Sequence, residues 1–316
     1  MNIYSFYSFH HRIKFICLDQ FIYMSMIPRP FMYFSPTTEN EALALLKDYK
    51  SDAKILAGGM SLIPLMKLRL VSPNYIIDIN KVESLSYIKQ EGNKIRIGAL
   101  TRHHDLEKSD ILKKVLPIIS ETASLVADPQ VRNMGTIGGS LSHADPAGDL
   151  GSCIIALNGD IVIKSESKER TVKIDNFFVD TFTTSLEPDE MVKEIIVQVP
   201  KGRSGGAYLK LERRAGDFAI AAVATQISLD NKGICNYAGI GLTAVGPTNL
   251  RAKKAEDFLL GKELNDKIIE EAAEIASNEA KPSDDPLRGS AEYKKAMVKV
   301  LTKRALKISL NRAGGG

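Results

Sequence analysis

The stretch Arg132-Asn133-Met134-Gly135-Thr136-Ile137-Gly138-Gly139-Ser140 decides how this chain is read. It continues as Leu141-Ser142-His143-Ala144-Asp145-Pro146-Ala147-Gly148-Asp149-Leu150. Glycine lets a backbone approach a ligand closely and admits positive φ, so residues 136–140 suit a phosphate. Asp145 and Asp149 offer acceptors to ribose or ring N–H groups. Equally, Asp145-Pro146 suits an Asx turn, and Asp149 suits an N-cap for the next helix. The whole run from Asp128 to Gly151, dense in Gly, Asp, Asn and Pro, reads as a loop.

Upstream stands a second glycine loop, Ala57-Gly58-Gly59-Met60-Ser61, between a predicted strand at Ala53–Leu56 and a helix predicted over Leu62–Leu70. Pro64 is tolerable there because it falls in the first turn. The free amides and positive dipole end of that helix suit a pyrophosphate, and Ser61 adds a hydroxyl while capping it. The loop is neither a Walker A motif nor G-x-G-x-x-G. Alone it fits a plain tight turn; two such loops in one domain fit a dinucleotide gripped from both sides. The candidate cofactor residues are therefore Ala57, Gly58, Gly59, Met60, Ser61 and Leu62 on the first loop. On the second they are Thr136, Ile137, Gly138, Gly139 and Ser140. Gly59 and Gly138 are expected to leave room for the phosphate.

Outward from the loops the pattern is α+β. Thr38-Glu39-Asn40-Glu41 is a capping box, and Ala42, Leu45, Leu46 and Tyr49 recur at helical spacing. Strands are expected at Tyr75–Ile79, Lys94–Ala99, Ile161–Lys164, Thr171–Ile174 and Glu194–Val199. A helix opens near Thr101, further helical pattern runs from Ile111 to Ala127 with a break at Pro117, and Cys153–Leu157 suits a short buried helix. The polar, glycine-rich run Lys201–Gly206 marks a boundary. Beyond it come strands at Ala207–Leu211, Val223–Leu229 and Ile234–Thr243, the last two joined by a turn at Asp230–Gly233. Helices follow near Arg251–Leu260, Asp266–Ser277 and Ala291–Leu310. A sheet followed by helices suggests a smaller α+β domain, giving units at 26–200 and 205–312.

Composition narrows the function. Among 316 residues, 44% are hydrophobic and 25% charged, a globular balance. The net charge of +4, without a Lys/Arg block, gives no nucleic-acid footprint. Cys17, Cys153 and Cys235 form no Cys-x-x-Cys pair, which excludes a self-contained Cys₄ cluster and favours a reducing cytoplasm. The adjacent His103 and His104 point in different directions on a helix and read as surface residues. Residues 1–25, holding His10 and His11, are aromatic-rich and patternless. They form a poor signal peptide, and the working chain is expected to begin at Met24 or Met26.

At its glycine loops the chain resembles the FAD-binding medium subunits of the molybdenum hydroxylases, the family of xanthine, carbon monoxide and aldehyde dehydrogenase flavoproteins. The resemblance rests on Ala57–Pro64, on Arg132–Ser140 with His143-Ala144-Asp145-Pro146 and Asp149-Leu150, and on Glu212-Arg213-Arg214-Ala215-Gly216-Asp217-Phe218-Ala219. It covers roughly Ile27 to Leu310. It implies an FAD domain of vanillyl-alcohol-oxidase type in two subdomains, plus a small C-terminal domain. It further implies that residues 57–61 and 136–140 hold the pyrophosphate, that Asp149 hydrogen-bonds the FAD, and that Phe218 lies near the isoalloxazine. Without the resemblance, a lone Phe reads as a core aromatic. Met60 stands where a polar residue is common, Gly151 where proline is frequent, and Phe182 where tyrosine is common.

The implied assembly is a heterotrimer, or a dimer of heterotrimers. A large subunit carries the molybdenum cofactor and a small one carries two [2Fe–2S] clusters. The organic substrate is expected to be an aldehyde such as glyceraldehyde, ahead of carbon monoxide or an aromatic heterocycle. The competing readings are a free-standing FAD oxidase or reductase, and a scaffold that has lost FAD. No acid/base constellation supports the first of these.

Overall fold

The computed structural model describes residues 27–315. The expectation for residues 1–25, with His10, His11 and Cys17, lies outside them.

A parallel three-stranded sheet comes first: β1 (Met32–Phe34), β2 (Ala53–Leu56) and β3 (Tyr75–Asp78), with β3 central. Helix α1 (Glu39–Tyr49) connects β1 to β2. The Thr38 hydroxyl accepts the Glu41 amide at 3.2 Å, as the capping box requires. The return arm shifts by one residue, since the Glu41 carboxylate accepts from the Thr37 amide at 2.8 Å. Ala42, Leu43 and Leu46 pack with Ile77 and Ile79, and the Tyr49 and Tyr75 rings stack 3.9 Å apart. Helix α2 (Leu62–Lys67) follows β2, three residues shorter than predicted, with Arg69 beyond it at φ 57°.

The second sheet is antiparallel, in the order β4 (Ile88–Glu91), β5 (Lys94–Gly98), β10 (Met191–Gln198), β6 (Asp160–Lys164), β7 (Glu169–Lys173). Ile95 and Ile97 on β5, with Ile161 and Ile163 on β6, alternate into one core. The hairpin β8 (Phe178–Asp180) with β9 (Thr183–Thr184) lies between β7 and β10 in the chain. Between β5 and β6 run six helices: α3 (His103–Lys108), α4 (Asp110–Val115), α5 (Pro117–Ser124), α6 (Pro129–Met134), α7 (Ile137–His143) and α8 (Asp149–Ala156).

The last three of these correct the reading of Asp128–Gly151 as loop. Asp128 accepts the Val131 amide at 2.9 Å and Thr136 accepts the Gly139 amide at 3.1 Å. Pro129 occupies the first turn of α6, where its missing N–H costs nothing. Caps, Pro and Gly mark helix starts as well as turns, so closely spaced short helices have the composition of a loop.

The third sheet is antiparallel: β11 (Arg203–Leu211), β12 (Ala221–Leu229), β13 (Cys235–Thr243) and β14 (Leu250–Arg251). Helices α9 (Lys253–Leu259), α10 (Asp266–Glu279) and α11 (Ala291–Leu310) complete it. Every residue of β12 is buried, because α11 covers one face and α8 the other. A Cβ on Gly239 or Gly241 would collide with the α8 carbonyls of Ala156 or Ser152. Glycine there lets a helix lie directly on the sheet. Helix α8 is thus sandwiched between the second and third sheets, and all eight of its residues are buried.

One buried ion pair gives the fold a specific pH dependence. The Glu190 carboxylate accepts from Arg170 at 2.8 and 2.6 Å and from the Glu187 amide at 2.9 Å. The Arg170 hydrogen bonds lead in holding its pKa down at about 2, against an ordinary 4.5. The folded chain binds this proton less tightly than the unfolded chain. Its contribution is therefore complete above pH 4.5 and lost as pH falls towards 2. Glu190→Gln should cost about 2 kcal/mol at neutral pH and flatten the loss of stability on acidification. Urea titrations at pH 7 and pH 3 measure both; equal acid sensitivity of the two proteins would refute the assignment.

Candidate functional site

The first glycine loop leaves the C-terminal end of β2, where ligands of parallel sheets gather. Gly58 and Gly59 are buried, and Gly59 takes φ 75°. The backbone amides of residues 58–62 donate to nothing among the described residues. Five successive free amides around two buried glycines are an arrangement that suits an anion. Ser61 does not cap α2 by its side chain, contrary to expectation.

The two loops touch. A Cβ on Gly58 would collide with the Met134 carbonyl oxygen and stand 2.7 Å from Gly135 Cα. From the other side, a Cβ on Gly139 would point at Ala57 Cβ from 3.9 Å. Gly58 and the Met134–Gly135 peptide, 76 and 77 positions on in the chain, are therefore packed backbone to backbone.

What knits them was not seen in the sequence. Asn80, just after β3, donates its Nδ2 to the Ala57 carbonyl at 2.7 Å. Its Oδ1 accepts Arg102 Nη2 at 2.7 Å, and Arg102 Nη1 donates to the Met134 carbonyl. A continuous clamp thus runs from loop to loop. Asp78 holds Asn80 in turn, its Oδ1 accepting the Asn80 amide at 2.9 Å.

The start of α7 differs from the expected cradle. The Ile137 amide donates to Thr101 O at 3.1 Å and the Gly138 amide to Ala99 O at 2.9 Å. The Gly139 amide goes to the Thr136 hydroxyl. These groups are used within the chain, so the free backbone donors belong to the first loop. The Ser140 side chain, in contrast, makes no hydrogen bond among the described residues. The reason offered for the two glycines also changes. A Cβ on Gly138 would lie 2.8 Å from Ala99 O, and one on Gly59 would lie 2.7 Å from Ile63 Cδ1. Both glycines serve close packing within the chain.

The surface reading of the His103–His104 pair holds for His104, which is exposed, and fails for His103. It is buried at 4% exposure against Gly135, and its Nδ1 has no partner among the described residues. Burial, reinforced by Arg102 and Arg132, pushes its pKa down to about 4. The ring is neutral at physiological pH and acts as a wedge under the second loop.

Asp145 forms the Asx turn, its Oδ1 accepting the Ala147 amide at 2.9 Å. Asp149 is the first residue of α8 while Gly148 is its N-cap. The Asp149 carboxylate is 7% exposed, and both oxygens already have partners in β11. Tyr208 donates to one at 2.7 Å and Lys210 to the other at 3.1 Å. Burial raises this carboxyl's pKa against the pull of Lys210 and Tyr208. Asp149 therefore links the two larger parts of the chain, and any contact with FAD would be additional.

Phe218 is 51% exposed, which removes the core-aromatic reading. Its loop is braced by the Arg213–Asp217 ion pair at 3.0 Å and by Gly216, at φ 84°, against Ala127. Phe182, in the β8–β9 hairpin, takes φ 54° and brings its ring 5.1 Å from that of His143. Met60 is 38% exposed at the rim of the first loop.

Residues 29–201 match the sequence profile of the FAD binding domain in molybdopterin dehydrogenase, and residues 206–308 that of the CO dehydrogenase flavoprotein C-terminal domain. The chain belongs to this flavoprotein family. It is 42% identical to the carbon monoxide dehydrogenase medium chain of Hydrogenophaga pseudoflava, over 91% of this chain and 99% of that one. It is also 42% identical to the glyceraldehyde dehydrogenase medium chain of Sulfolobus acidocaldarius, over 89% and 99% respectively. Its fold superimposes on a carbon monoxide dehydrogenase structure from H. pseudoflava with a TM-score of 0.88 at 44% identity, covering 91% of this chain and 99% of that one. Among the described residues no helix is long and apolar enough to cross a membrane.

Proposed function

We propose that this chain is the FAD-bearing electron-transfer subunit of a heterotrimeric molybdenum hydroxylase. Its partners would be a large molybdenum-cofactor subunit and a small subunit with [2Fe–2S] clusters, in a cytoplasmic complex. The observation that carries the reading is the pair of interlocked glycine loops with five free amides. That arrangement suits the diphosphate of a dinucleotide.

Residues 26–200 would form the cofactor unit and 205–312 the unit that closes on it. Ala57, Gly58, Gly59, Met60, Ser61 and Leu62 would bind the diphosphate through backbone amides and the Ser61 hydroxyl. Thr136, Ile137, Gly138, Gly139 and Ser140 would form the facing wall, with the Ser140 hydroxyl as its free donor. Asp149 would fix the second unit through Tyr208 and Lys210 and present its remaining edge to the cofactor. Phe218 would cover the ring. When bound, FAD supplies the two-electron chemistry; the protein positions it and excludes water.

The complex would oxidise an aldehyde such as glyceraldehyde. The Sulfolobus relative supports this choice, while the carbon monoxide dehydrogenase relative is as similar. Co-expression with the neighbouring large and small subunits, followed by assays with glyceraldehyde and carbon monoxide, tests it. The expected result is FAD-dependent aldehyde oxidation by the complex only. A lone chain that oxidised substrate by itself would instead identify a free-standing oxidase.

A further inference from the structure

A cleft of about 340 Å³ lies between the α4–α5 turn and the edge strand β11, at the small end of ligand-sized cavities. No residue of either glycine loop lines it. Its floor is open because a side chain is missing. Gly206 pairs across the sheet with Gln226, and a Cβ on Gly206 would come 2.3 Å from Gln226 Oε1. Glycine there leaves the Gln226 amide facing the cleft.

Gln226 is 4% exposed, and a buried amide calls for partners. Its Nε2 donates to the Ile227 carbonyl at 3.3 Å, and its Oε1 accepts no hydrogen bond among the described residues. A side-chain amide has two donors and a carbonyl acceptor, so a donor and an acceptor are left side by side. A second amide, placed head to head, satisfies both at once.

The mouth of the cleft is charged. Arg312 Nη1 donates to Glu121 Oε2 at 2.8 Å and to Gly206 O at 2.6 Å, while its Nε and Nη2 have no acceptor among the described residues. The Lys114 ammonium, exposed near the end of α4, is likewise without a partner among the described residues. Glu121 offsets one of these two cations, which leaves the lining with a single net positive charge. That balance suits one carboxylate; a phosphate or a dicarboxylate would bring surplus negative charge beside Glu121. Val115 and Pro117, between floor and mouth, offer an apolar wall to a short methylene chain.

We propose that this cleft binds a small monocarboxylate bearing a primary amide, with the amide on Gln226 and the carboxylate at Lys114 and Arg312. The site stands on its own lining and does not rest on the proposed function.

The test is calorimetric titration of the FAD-saturated full chain with succinamate, succinate and succinamide. Saturating FAD keeps these probes out of the first glycine loop. Succinamate carries both groups, succinate replaces the amide with a second charge, and succinamide lacks the carboxylate. We expect saturable binding of succinamate, about tenfold tighter than that of either other probe. Gln226→Met keeps the length of the side chain and removes its amide, and should bring succinamate down to the affinity of succinate. Lys114→Gln, at an exposed position, should weaken succinamate about threefold and leave succinamide unchanged. Lys232→Gln, on the exposed β12–β13 turn, should change neither. Absence of saturable binding, equal affinity for succinamate and succinate, or wild-type affinity in a folded Gln226→Met overturns the site. A chain that took up no FAD would sink the proposed function, while the Gln226 dependence would decide this site as before.

Discussion

Gly58→Ala should weaken FAD binding by about a hundredfold in a chain that remains folded. The added methyl would meet backbone, colliding with the Met134 carbonyl and standing 2.7 Å from Gly135 Cα. A side chain in its path would rotate away; a carbonyl anchored by Arg102 moves only if its whole loop moves. Relief of the clash requires the two loops to part by roughly an ångström, and misplacement on that scale is worth about two orders of magnitude at a positioned site. Overpacking itself typically costs about 1–3 kcal/mol, less than a domain of this size has in reserve. Flavin absorbance per chain after reconstitution, with thermal unfolding alongside, reads both quantities. A Gly58→Ala protein holding a full complement of FAD would show that the loops do not act as one cradle.

That contact also shows what was legible in the sequence. Each glycine loop was visible because its signal is local: a run of small residues, with a preceding strand and a following helix beside it in the first loop. The cap at Thr38, the turn at Asp230–Gly233 and the span of α11 were visible for the same reason. Their hydrogen bonds close within a few residues. The strand Met32–Phe34 was not, because it is three residues long and its ladder partner among the described residues begins at Tyr75. The short strands of the β8–β9 hairpin carry equally little pattern.

The site divides along the same line. His103 is an ordinary residue until Gly135 is packed against it, after which burial governs its charge. Asp149 invited a ligand role from its setting, yet its partners Tyr208 and Lys210 lie about sixty residues on, in another sheet. Asn80 and Arg102 belong to no motif, since a clamp is a property of where three chain segments meet. Family resemblance identified the cofactor; only geometry reveals how its two loops are held together.

The clamp makes the second large prediction. Arg102→Ala removes a charged hydrogen bond to the Met134 carbonyl and another to Asn80 Oδ1. Bonds of this kind contribute about 1.5–3 kcal/mol each where burial protects them, and Arg102 is partly buried. FAD affinity should therefore fall by about ten- to a hundredfold. Asn80→Ala removes the bond to the Ala57 carbonyl and should lower affinity by about tenfold. Because Asn80 stands between Ala57 and Arg102, either deletion opens the same chain of bonds. The double variant should bind FAD little worse than Arg102→Ala alone, a coupling of about 1 kcal/mol or more in a double-mutant cycle. FAD titrations of the four proteins measure it. Additive losses would mean that the residues act separately, and unchanged affinity in Arg102→Ala would mean that loop contact at Gly58 suffices to hold the cradle closed.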